Sequence, residues 1–222
     1  MAFFSETSHR GPLTPSATGL VPTTDLSSHK AGSGPRSAQT GASAEVGVGT
    51  IELTLSEIRR VAAFAVACAR PALAIFERKR PGDGRPRAAI DAAQAFADGA
   101  ERTKALRDSA WAALRAAHEA RDAGQAAASD AAHAAGNAAG AAFLHPLAKA
   151  TQVKHILGSA AHAARAFEVS AGDNPNDGAD YIAQSGVLAH PIVVEVLRRF
   201  PAAPPGGGRV GELIRQLDAS LR

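Results

Sequence analysis

Histidine and arginine are the residue types whose placement in this chain invites a chemical reading. His118, His133, His145 and His155 could between them offer imidazole nitrogens to a metal, and zinc–nitrogen bonds are only about 2 Å long. His118 and His133 fall on either side of Gly124, where two antiparallel helices would bring them to a similar level. His155 and His162 share a helix face, but seven residues of helix separate them by about 10 Å, too far for one ion. No H-x-x-x-H or E-x-x-H pair supports them. They read as a polar histidine cluster hydrogen-bonded between small-residue helices. No metal is expected, and a histidine-based metal-binding protein is kept as a second alternative.

Arg85, Arg87 and Asp91 form the other constellation. Arg87 and Asp91 are four apart and can pair on a helix surface for a few tenths of a kcal/mol. Two arginines at a helix N-terminus oppose its dipole, which suggests that they serve something else. A guanidinium grips a carboxylate in a fork, so these residues are expected to bind an acidic partner surface.

Catalysis finds no support. No serine stands in a nucleophile elbow, and no glycine-rich loop between strand and helix could cradle phosphate. Gly206-Gly207-Gly208 follows two prolines and reads as a linker. No catalytic residue and no cofactor are expected. Lys149, Lys154 and Arg165, with Arg78, Lys79 and Arg80, could make a basic strip, but without interleaved aromatics. A nucleic-acid-associated helical protein is therefore the first alternative, not the leading reading.

The elements that must position these groups are helices. Of 222 residues 45% are hydrophobic and only 5% aromatic, so alanine supplies much of the apolar surface. A buried alanine methyl contributes only about 0.8 kcal/mol, which favours long antiparallel helices with close backbones. The net charge of +3 and a pI near 9.4 favour acidic partners weakly. One cysteine, Cys68, forbids an internal disulfide and fits a reducing compartment, so a cytoplasmic location is expected. The first residues show no secretory signal, and no run of about 20 apolar residues is uninterrupted, so no membrane span is expected.

Residues 1–50 are rich in Ser, Thr, Gly and Pro with no apolar period, and read as a disordered tail. Residues 51–172 read as an alanine-rich bundle of about five long helices. Thr54 and Glu57 make a capping-box pattern at its start, and Pro71 should kink the first helix without splitting it. Pro86 opens the second helix, Gly99 ends it, Thr103 caps the third and Gly124 stops it. The third helix is expected to bury Leu106, Ala110, Trp111, Leu114 and Ala117. Gly136 and Gly140, one turn apart, should let another backbone approach. A fifth helix is expected from Pro146 to Gly172. Residues 173–222 form an extension: a loop at 173–178, helices near 179–188 and 191–200, and an amphipathic C-terminal helix that packs back.

The span from about Leu53 to Gly172 resembles the immunity-five-like family, described for bacterial polymorphic toxin systems. The resemblance lies in the capped LTLSEIRRVAAFAVACARPALAIFE helix, the turn into Arg85-Pro86-Arg87-Ala-Ala-Ile90 and the Ala/His-rich helices after Gly124. Arg85, Pro86, Arg87, His118, His145 and Lys154 fall on the family's pattern. Asn137 stands where many members carry histidine. The resemblance implies a small all-α protein that binds and neutralises a cognate toxin without catalysis, its recognition surface including Arg85 and Arg87.

Overall fold

A computed structural model describes residues 49–222. The expected tail therefore lies outside the described residues, except for Gly49 and Thr50, which are held. Thr50 makes an isolated antiparallel bridge with Leu147, Ile51 N donates to Pro146 O at 2.9 Å, and Ala148 N donates to Gly49 O at 2.9 Å.

The described chain is an all-α bundle of the expected class. In order the helices are α1 (Leu55–Ala69), α2 (Leu73–Lys79), α3 (Arg85–Ala97), α4 (Lys104–Asp122), α5 (Ala126–Ala141), α6 (Val153–Ser170), α7 (Pro175–Leu188), α8 (Pro191–Arg198) and α9 (Gly208–Leu221). α5 is the spine. It packs between α4 and α6 and also touches α1, α2 and α3, so ten of its sixteen residues are buried, nearly all alanine.

Local chemistry sets most boundaries. Thr54 and Glu57 form the capping box in both directions, with Glu57 N donating to Thr54 Oγ1 and Thr54 N donating to Glu57 Oε2 at 2.8 Å. Arg199 of α8 donates to the same Glu57 carboxylate at 2.6 Å, and these bonds lower its pKa to about 2. Pro71 cannot donate an N–H, and the backbone answers with one 3-10 turn over Arg70–Ala72 between α1 and α2. The Cys68 carbonyl there accepts the Tyr181 hydroxyl of α7 at 2.6 Å, which locks the kink against the C-terminal helices. Cys68 itself is fully buried, and burial raises its thiol to about 12, as suits a small apolar side chain.

Besides the first helix, which Pro71 divides into α1 and α2 instead of only kinking, three expectations need correction. The helix expected from Pro146 starts only at Val153, after a 3-10 turn over Ala150–Gln152. Pro146 to Lys149 is held extended because it pairs with Gly49–Ile51, a partner nearly 100 residues away in sequence that no local pattern reveals. The expected loop at 173–178 already contains the start of α7, since Asn174 Oδ1 caps Asn176 N at 3.2 Å and Pro175 occupies the first turn.

The third correction concerns Trp111, which is 58% exposed. At 100° per residue, Leu106, Ala110, Ala113, Ala117 and Ala120 lie within about 40° of one line on α4, and all are buried. Trp111 lies about 140° from that line. Its bulk suggested burial, but its phase decides.

The C-terminal helices belong to the same core. α7 and α9 pack on α6 and on each other, burying Ile182, Leu213, Ile214 and Leu217. A fully buried carboxylate, Glu168 of α6, ties them down: Arg209 of α9 donates from Nε at 3.0 Å and from Nη2 at 2.6 Å, and Arg165 Nη1 donates at 3.0 Å. Gly178 of α7 covers this group so closely that any β-carbon there would overlap the carboxylate. At the centre, Ser159 of α6 shares its hydroxyl proton between the Ala65 and Ala134 carbonyls, each at 2.8 Å.

Candidate recognition surfaces

The start of α3 is a knot of ion pairs. Its guanidinium-rich first turn lacks an acid of its own, and Gly84 supplies no side-chain cap. Two loop and helix carboxylates compensate. Arg85 Nε donates to Asp83 Oδ1 at 2.8 Å, and its terminal nitrogens bind the Glu119 carboxylate of α4. The Arg85 bond holds the Glu119 carboxyl below its ordinary range, and does the same to Asp83. Arg87 forks onto Glu77 of α2, with both bonds at 2.7 Å. The anticipated Arg87–Asp91 pair does not form: Glu77 offers a bidentate geometry that the helix-surface pair cannot match, and Asp91 faces Arg70 at 3.9 Å instead. Arg85 and Arg87 thus join α3 to α4 and α2.

The four histidines divide into two groups. His118 of α4 and His133 of α5 do meet across the Gly124 turn, edge to face with centroids 5.5 Å apart. His133 also stacks on His162 of α6 at 4.8 Å, and His162 Nδ1 lies 2.8 Å from the Asp130 carboxylate. His162 and Asp130 complete a row across three helices, and that role escaped the sequence reading because Asp130 and His162 are 32 residues apart. Burial, with the neighbouring His162 next in weight, lowers His133 to about 4, so it stands neutral at physiological pH. His145 and His155 lie apart from this row. Burial of His155, and then His145 nearby, pushes the His155 pKa down. Among the described residues, no grouping of three or more His, Cys, Asp or Glu has a geometry that could hold a metal ion.

A third cluster lies where α1 and α4 begin and α5 ends. Arg107 stacks over the Phe143 ring at 4.7 Å, and Arg102 lies 5.7 Å from the same ring and 5.8 Å from Phe96. Arg59 covers Phe96 as well, at 5.8 Å. Arginines and phenylalanines so far apart in sequence gave no motif. Only the three-helix junction brings them together.

Fold and surface together define a helical protein whose notable features are on its outside, with no helix among the described residues long and apolar enough to cross a membrane. The chain belongs to the Imm-5 like putative immunity protein family, whose model matches residues 52–185. That match runs from the residues before the α1 cap into α7, beyond the span to Gly172 that the sequence resemblance covered. No curated protein and no solved structure matches the chain.

Proposed function

We propose that this protein binds a cognate toxin and neutralises it by occupying it, without performing a reaction. The observation that carries this reading is the family match over residues 52–185, which takes in helices α1 to α6 and most of α7. The architecture supports it. A core of close-packed alanine helices is stiff, and stiff surfaces lose little conformational entropy on association. The surface composition supports it too: alanine supplies much of the inside, while Trp111 and many arginines are outside. Tryptophan and arginine are the residue types that dominate binding energy at protein interfaces.

In this reading Arg85 and Arg87 hold the face of α3 in place, and Asp91 lies on that face beside Arg70. The decisive experiment is co-expression with the product of the neighbouring gene, tested as the toxin. Survival of the host and a one-to-one complex on gel filtration are the expected results. A toxin that kills equally well with and without this protein, and elutes apart from it, removes the proposal.

A further inference from the structure

The Arg–Phe junction described above gathers three arginines that stack on aromatic rings and lack a carboxylate partner among the described residues. Many arginines elsewhere are paired, Arg85 with Asp83 and Glu119, Arg87 with Glu77, Arg199 with Glu57 and Arg209 with Glu168. Arg60, Arg78 and Arg115 are not paired among the described residues, and they stack on no ring there. Among the described residues, Arg102 and Arg107 have no carboxylate partner and no hydrogen-bond acceptor; Glu101 precedes Arg102 without pairing with it, Asp98 accepts from Gln94 and Asp108 pairs with Lys104. Arg59 donates only to the Gly99 and Ala100 carbonyls, at 2.7 and 3.3 Å, and its Nε is buried with no acceptor. The first turn of α4 contains no acid, so the positive end of its dipole adds to the same field.

Two of these cations, Arg102 and Arg107, line a cleft of about 570 Å³. Its walls are Arg102, Arg107 and His145, and its floor is apolar, formed by Leu53, Ile58 and Phe143. Leu55, 47% exposed, stands in its lining, and Trp111 follows Arg107 by one turn on the same face of α4. Guanidiniums stacked on aromatic rings are already ordered, so gripping a carboxylate would cost them less entropy than a free side chain.

We propose that this cleft is where the toxin docks, and that the toxin meets it with an acidic surface. Two carboxylates of the partner bind Arg102 and Arg107, an apolar side chain between them enters the cleft, and Trp111 packs against the partner beside it. The assignment rests on the toxin-binding reading given above. A protein is favoured over a nucleic acid for two reasons. Successive bases would need several free aromatic faces for stacking, and at this junction only Trp111 offers one, since Phe96 and Phe143 already carry guanidiniums. The cleft is also a single apolar-floored cavity, not a cationic track that could follow a phosphate backbone.

The test measures affinity for the purified product of the neighbouring gene, in a form that no longer kills the host, by calorimetry at two salt concentrations. Arg102→Glu with Arg107→Glu should weaken binding at least about 100-fold, since each charge reversal sets like charges against each other. Trp111→Ala should weaken it about 10-fold or more, and Lys79→Glu, on exposed α2, should leave it unchanged. All these positions are exposed, so melting temperatures should match the wild type, and Arg102→Lys with Arg107→Lys should retain part of the affinity if charge is what matters. A wild type that binds while the double reversal binds equally well overturns the surface but leaves the toxin-binding reading intact. A wild type that binds no toxin overturns both. Binding of a 20-nucleotide single strand at physiological salt, lost in the double reversal, would assign the cleft to nucleic acid and overturn the choice of partner.

Discussion

Replacing Glu168 by glutamine tests the energetic logic of the C-terminal half. The carboxylate is fully buried and accepts a bidentate fork from Arg209 and a third bond from Arg165. Glutamine keeps the shape, removes the charge and turns an amide NH2 toward guanidinium donors. Breaking a buried ion pair commonly costs about 3–5 kcal/mol, because the surviving charge is stranded. Here the stranded groups retain access to water, at 26% side-chain exposure for Arg165 and 33% for Arg209, which moves the expectation down to about 2–4 kcal/mol. For a domain of this size that corresponds to a fall in Tm of about 6–12 °C. Urea unfolding followed by circular dichroism gives the free energy, and a double-mutant cycle with Arg209→Gln should show a coupling of about 1–3 kcal/mol. A Glu168→Gln protein within about 0.5 kcal/mol of wild type, with no coupling, would refute the claim that this pair fastens α9 to α6.

Three further outcomes follow from the geometry. Gly136→Ala and Gly140→Ala should have opposite signs: a β-carbon on Gly136 would lie 2.8 Å from Leu114 Cδ2 and 3.3 Å from the Ala110 carbonyl, whereas on Gly140 the nearest atom is 3.9 Å away. Overpacking of about 1–3 kcal/mol should outweigh the gain in helix propensity at Gly136, while Gly140→Ala should stabilise by up to about 1 kcal/mol in the same melts. His133 takes up its proton near 4 in the folded chain and near 6.5 when unfolded, so stability is complete above about 6.5 and declines as the pH falls toward 4. Discounted for partial exposure the loss is about 1–3 kcal/mol, and His133→Leu should flatten that part of the profile, whereas Glu57, lowered to about 2, contributes stability that is lost only as pH falls below about 4.5. The sole tryptophan, Trp111, should be quenched by acrylamide almost as readily in the folded protein as in urea; strong protection on folding would contradict its exposure.

Much of the fold was legible because it is decided locally. Thr54 with Glu57, Thr103, Gly99 and Gly124 carry their turn chemistry within four residues, and each acts as expected. The disturbance at Pro71 was legible for the same reason, but the single kinked helix expected there is two, α1 and α2, with a 3-10 turn between them. The return of α9 to the bundle was legible from its apolar face. What escaped depends on partners distant in sequence. Pro146 looked like a helix start until Gly49–Ile51 paired with its neighbours, and nothing near Glu168 in sequence marks it for the burial that α7 and α9 impose. The surface was hardest to read. Arg87 had an apparent partner at Asp91 and took Glu77, which ten residues of turn and helix bring beside it. Asp130 gave no hint of His162, and no spacing rule links Arg59, Arg102 and Arg107 to two phenylalanines on other helices.

The alanine filling of α5 has a consequence for how such a protein can change. Alanine has no rotamers, so a core made of it cannot absorb a larger side chain by turning a neighbour aside. An added methylene on one of its fully buried alanines must push whole helices apart. Tolerated variation is therefore driven outward, onto faces such as that of α4, where Arg107 and Trp111 stand in solvent. A lineage built on this frame can rewrite the outside of its helices while its interior stays nearly invariant.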